Sequence, residues 1–126
     1  MLEICVATHG DLALALVRTA FRIAGSGLRL HPVCLYDNVS GFERELREAL
    51  AGRDARQQLI LVDLAYGTPW NIACKLNMCP VVAGVNLAML LEAYSLPPDI
   101  NAKEAADTLA ASARCGITLW LPPRNT

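Results

Sequence analysis

Three runs constrain the fold most: LEICVAT (2–8), QLILVDL (58–64) and PVVAGV (80–85). Each is apolar almost without interruption. A strand that wets one face alternates apolar with polar residues, whereas a strand covered on both faces reads as a continuous branched run. Strands covered on both faces belong to parallel sheets, and parallel strands need a crossover between them. The sequence supplies the crossovers. DLALALVRTAFRIAG (11–25), VSGFERELREALAG (39–52), GTPWNIACKLNM (67–78) and NLAMLLEAY (86–94) all carry helical periodicity. RLHPVCLY (29–36) reads as a further strand between the first two helices.

Start and stop residues mark these helices. Asp11 is expected to cap the first and Gly25 to end it. Ser40 is expected to cap the second. Thr68 is expected to cap the third with Pro69 at its first helical position, and Asn86 to cap the fourth. After the break LPPD (96–99), NAKEAADTLAASAR (101–114) reads as a fifth helix. CGITLW (115–120) reads as a last strand before the tail LPPRNT. Strands alternating with helices give an α/β fold: a three-layer open sheet, mainly parallel, of order 2-1-3-4, flanked by helices. With 126 residues, no repeats and no long linker, residues 1–126 are expected to form one domain.

Charge and composition exclude several classes of function. A net charge of −1 with no basic stripe gives no footprint for nucleic acid or a membrane surface. No apolar run approaches the roughly 18 residues of a membrane span. Glu3 and the short apolar run at the start do not make a signal peptide. The five cysteines are an odd number without a CxxC pair, so neither a disulfide framework nor a zinc site is expected. Cys5, Cys34 and Cys115 sit in apolar stretches and read as small hydrophobes. This usage fits a reducing cytoplasm. No metal and no cofactor is expected. The chain is 54% apolar with a mean hydropathy of +0.34. That surplus points to apolar surface covered by a second subunit.

The chemistry is expected at the carboxyl ends of the strands, where open parallel sheets bind ligands. His9 ends the first strand and Asp63 stands near the end of the third, beside it in the order 2-1-3-4. A carboxylate next to an imidazole fixes its tautomer and leaves the other ring nitrogen free to act. GTPWN follows, and a helix start with the Thr68 hydroxyl suits a phosphate. Each feature alone is common at strand ends and turns. Together they read as a histidine that accepts a phosphoryl group. His31 enters its strand rather than leaving it and carries no such reading. Arg18, Arg22, Arg44 and Arg47 read as solvated faces; Trp70, Met78 and Met89 read as core.

VATHGDLALAL, VDLAYGTPWNIA and VVAGVNLAMLLEA, with the spacing between them, resemble the signature stretches of the mannose-type enzyme IIA (EIIA) proteins. These belong to the bacterial phosphoenolpyruvate-dependent sugar phosphotransferase system. The resemblance covers about residues 2–120. It implies that His9 accepts a phosphoryl group from the carrier protein HPr and passes it to a IIB component. IIB in turn phosphorylates sugar entering through the IIC/IID membrane permease. It implies that Asp63 hydrogen-bonds His9 and that Thr68, with Gly67, lies at the phosphate. It also implies a homodimer with the last strand contributed by the partner, matched here by CGITLW. IIB is expected on a separate chain. Two positions depart from the family pattern. Tyr66 stands where a second glycine is usual, and Ala65 where an aromatic is usual.

Two other readings compete. A phosphoaspartate receiver domain also uses an Asp at the end of its third strand, but it needs further carboxylates after the first strand to hold magnesium. Thr8 and His9 occupy that place. A non-catalytic regulatory homologue sensing phosphotransferase flux is the alternative that keeps the same fold. Nucleotide binding lacks any GxGxxG or Walker loop.

Overall fold

The computed structural model describes residues 1–125. Its central strand is β1 (Glu3–His9), with every residue from Glu3 to Thr8 buried. It pairs in parallel with β2 (Arg29–Leu35) on one side and β3 (Gln58–Val62) on the other; β3 pairs with the short edge strand β4 (Val81–Ala83). The sheet order is β2-β1-β3-β4, as the sequence predicts.

Side chains alternate across the pleat and so build two apolar layers. Ile4, Val6, Leu59 and Leu61 face α1 (Leu12–Ala24), α4 (Leu87–Ala93) and α5 (Ala102–Cys115). Cys5, Ala7, Ile60 and Val62 face α2 (Val39–Leu50) and α3 (Thr68–Leu76). Each fully buried aliphatic side chain contributes roughly 1.5–3 kcal/mol, so the middle of the sheet anchors the molecule. Met89 is buried, and Trp70 and Met78 pack against the second layer. Arg18, Arg22, Arg44 and Arg47 are exposed. Cys5 is buried and Cys34 half-buried, but Cys115 is exposed at the end of α5, not a core residue. No helix among the described residues is long and apolar enough to cross a membrane.

Asp11 occupies the N-cap position of α1 as expected, but the first-turn N–H of Ala13 is bound by Thr8 Oγ1 at 2.7 Å, and the Asp11 carboxylate instead accepts from the Tyr36 hydroxyl. Two other caps differ from expectation. The cap of α2 is Asn38, which accepts from Gly41 N–H; Ser40 lies inside the helix and donates to Asn38. The N-cap of α3 is Gly67, so Thr68 and Pro69 occupy its first two positions. Asn86 caps α4 as predicted. β3 ends at Val62, which leaves Asp63 free to begin a turn.

The last strand does not form within the protomer. Helix α5 runs through Cys115, and residues 117–122 have no regular structure before the 3₁₀ turn Pro123–Asn125. A strand exists only through its ladder, and here the segment pairs with no other strand. Ile117, Leu119 and Trp120 are therefore 83%, 80% and 76% exposed. Beside them a groove of about 490 Å³ follows edge strand β4, lined by Trp70, Val82, Gly84, Ala110, Arg114 and Ile117.

Candidate functional site

The register of the sheet brings the site together. Ala7 is level with Val62 and His9 with Leu35, so Asp63, one residue past Val62, stands beside the end of β1. Its Oδ2 accepts the His9 backbone N–H at 3.1 Å and lies 2.9 Å from His9 Nδ1. A carboxylate only accepts hydrogen bonds, so Nδ1 carries the proton and Nε2 keeps its lone pair. The imidazole is 47% exposed and the carboxylate 14%. A nucleophilic nitrogen thus faces solvent while its orienting group is held below. Asp63 Oδ1 is buried with no hydrogen-bond partner among the described residues. The carboxylate is spent on His9 alone.

The end of β1 is itself tied down. Gly10 N–H donates to Leu35 O at 2.7 Å, and Gly10 adopts a φ of 56°, turning the chain from β1 into α1. Buried Thr8 uses its hydroxyl oxygen as the cap of α1. A second tie crosses from β2, where Tyr36 donates to Asp11. Sequence reasoning missed both Thr8 and Tyr36, because neither sits at a standard capping position in the chain.

Opposite the imidazole stands the turn Leu64–Gly67, closed by Gly67 N–H to Leu64 O at 3.2 Å. Gly67 lies against the ring. A Cβ there would come within 3.0 Å of His9 Cε1 and 3.6 Å of Nε2. Only a residue without a side chain lets the start of α3 approach Nε2 so closely. No side chain caps α3, so its first-turn N–H groups and helix dipole are open to an anion. Thr68 is exposed at that end. All four residues predicted for the site, His9, Asp63, Gly67 and Thr68, therefore lie together at the carboxyl end of the sheet. His31 lies at the other end, with Nε2 at 2.7 Å from Glu3 Oε2.

Tyr66 holds a φ of 68°. A residue with a Cβ is strained there by roughly 1–2 kcal/mol, which is why the position suits the glycine of the family pattern. The Asn71 amide donates to Tyr66 O at 3.4 Å. The Tyr66 ring, 83% exposed, meets Trp70 edge-on at 5.9 Å between centroids.

A family model described as PTS system fructose IIA component, EIIA-man, matches residues 3–110. The chain is 28% identical to the fructose-specific EIIA component of Bacillus subtilis, over 90% of this chain and 83% of that protein. It is 25% identical to the sorbose-specific EIIA component of Klebsiella pneumoniae, over 99% and 96%. Among solved structures, the mannose/sorbose-specific IIA subunit from Enterococcus faecalis superposes with a TM-score of 0.81 at 28% identity, over 97% of this chain and 96% of that one. This chain belongs to the mannose-family EIIA components of the sugar phosphotransferase system.

Proposed function

We propose that this protein is a cytoplasmic phosphoryl carrier that takes a phosphoryl group from phospho-HPr onto His9 Nε2 and delivers it to a IIB component. The observation that carries this reading is the pair of contacts from Asp63 Oδ2 to His9, which leave Nε2 as the free nucleophile beside the uncapped start of α3. The Nε2 lone pair attacks phosphorus as the nitrogen–phosphorus bond of the donor breaks. The donor imidazole leaves with that electron pair, and the Nδ1 proton stays on the Asp63 hydrogen bond. Little covalent chemistry is asked of the protein, so positioning dominates. The open N–H groups of α3 and the Thr68 hydroxyl receive the phosphoryl oxygens. Transfer to IIB runs the same step with His9 as donor.

The surroundings of His9 fit a protein partner. Leu12, Tyr36, Val39, Leu64 and Tyr66 are all exposed in the segments that follow β1, β2 and β3. The same loops carry Asp11, Asp37 and Asp63 and no lysine or arginine. An apolar surface with acidic groups suits a basic docking face, which would also neutralise the group in transit.

The reading takes residues 1–126 as one EIIA domain that works as a homodimer. The 115–120 segment of one copy adds to the β4 edge of the other, covering an edge that soluble proteins seldom leave open. The groove beside β4 and the exposed Ile117, Leu119 and Trp120 support it. Sedimentation decides this point. The full chain should run as a dimer, and a monomer would remove the swap.

The decisive test is labelling with phosphoenolpyruvate, enzyme I and HPr. The wild type should take an acid-labile, base-stable label, and His9→Ala should take none. Label retained on His9→Ala, or a label released by hydroxylamine, would reject His9 as the acceptor.

A further inference from the structure

We propose that Tyr66 and Trp70 form a bridge through which a second copy of this chain, seated in the groove along β4, positions the turn that carries Gly67 against His9. The functional part of this proposal rests on the phosphoryl-carrier reading; its structural part does not.

The bridge starts at a conformation that needs support. Tyr66 sits at a φ of 68°, where tyrosine is strained. The turn around it is held by Gly67 N–H to Leu64 O, by the Asn71 amide at a long 3.4 Å, and by the edge of the Tyr66 ring against Trp70. The turn matters because Gly67 is its last residue, and Gly67 leaves room for the imidazole where a Cβ would lie 3.0 Å from Cε1 and 3.6 Å from Nε2. A turn that relaxes carries Gly67, and with it the start of α3, away from the reacting nitrogen.

Trp70 joins this turn to the groove. It is half-buried, touches Tyr66 on one side and lines the groove on the other. The groove follows β4, whose outer edge pairs with no strand among the described residues. The occupant is a second copy, and the apolar tail of this chain supplies it. Ile117, Leu119, Trp120 and Leu121 are all exposed, and Ile117 already stands at the groove's wall. A twofold axis exchanges two such segments with identical contacts, so each copy fills the other's groove.

With the groove filled, Trp70 is packed on both sides and the Tyr66 ring has a fixed partner. With it empty, Trp70 gains rotamer freedom and the strained turn loses the side-chain support that Trp70 gives it. Glycine at position 66 would adopt the same turn unaided, so this chain has made its site depend on the partner through one residue. Tyr66 and Trp70 are positioning residues, acting on His9 through Gly67.

The test uses the full chain carrying Ile117→Ser, Leu119→Ser and Trp120→Ser together. These side chains are exposed in the protomer, so the fold survives their loss. The expected result is a folded monomer in which the Tyr66 ring resonances shift and broaden relative to the wild-type dimer. Its rate of phosphoryl acceptance should fall about two- to tenfold, the range for loss of one aromatic pair. Adding Tyr66→Gly should restore the rate of the monomer to that of Tyr66→Gly alone, whereas adding Tyr66→Ala should not. A monomer with unchanged Tyr66 resonances overturns the bridge, and so does a triple variant that remains a dimer. If the wild type accepts no phosphoryl group at all, the carrier reading fails, and the Tyr66 resonances still decide the bridge.

Discussion

Asp63 Oδ2 binds His9 twice, at the backbone N–H and at Nδ1, with distances of 3.1 and 2.9 Å. One oxygen thereby fixes the end of β1 and the tautomer of the ring it carries. Replacing Asp63 with Asn removes the charge and lets the amide present an N–H to Nδ1. The imidazole then has no reason to keep its proton on Nδ1. Phosphoryl acceptance should fall roughly 10–100-fold, the range seen when the carboxylate that orients a metal-bound imidazole is removed. The ¹⁵N shifts of the ring should show the tautomers mixed. Unchanged shifts with an unchanged rate would mean that Asp63 is not what orients His9.

Gly67→Ala tests how closely α3 must approach the ring. The new Cβ would meet His9 Cε1 at 3.0 Å and Leu64 O at 3.3 Å. Backbone φ is −77°, ordinary for alanine, so any effect comes from crowding alone. Overpacking costs about 1–3 kcal/mol. If about 1.4 kcal/mol of that falls on the transition state, acceptance slows about tenfold. Rapid-quench rates should show this loss, and the urea midpoint should fall with the crowding that the native state also bears.

Thr8→Val separates support from chemistry. Thr8 is fully buried, and its oxygen is the acceptor for Ala13 N–H. Valine keeps the shape and leaves that N–H without a partner. The loss should be about 1–2 kcal/mol, as for a helix cap. It should appear as a lower urea midpoint with an unchanged slope. A midpoint equal to wild type would show that water or a shifted backbone replaces the cap.

Much of this was legible in the sequence. The continuous apolar runs marked three of the four strands, because burial on both faces leaves a local signature, and the alternation with helices placed the fourth and gave their order. His9 and Asp63 were legible because strand order places residues at neighbouring strand ends side by side. The caps were not. Thr8 outcompetes Asp11, and Asn38 outcompetes Ser40, by reach and geometry that spacing alone does not encode. CGITLW has the composition of a strand, but composition does not name the strand it pairs with, and within the protomer there is none. The left-handed Tyr66 was illegible for a related reason. Its conformation is imposed by the turn that joins Asp63 to α3, against the preference of the residue itself.

Stability should fall at acid pH through Glu3, at the end of the sheet opposite His9. Burial pushes its carboxyl up, but hydrogen bonds from Arg29 and His31 and the nearby charge of Arg53 pull it down, and the net shift is below the ordinary carboxylate range. A carboxyl with a lower value folded than unfolded binds fewer protons in the native state, so stability rises with pH across that window. The contribution is complete above the unfolded value, about 4.3 for Glu, and is lost as pH falls through the folded one. Glu3→Gln removes the titrating group and leaves Arg29 and Arg53 without their buried partner. At about pH 7 the variant should unfold at a lower urea concentration than wild type. As pH falls below about 4, the two curves should converge, because the wild type then loses what the variant never had. A gap that stays constant from neutral to acid pH would assign the acid lability to other carboxylates.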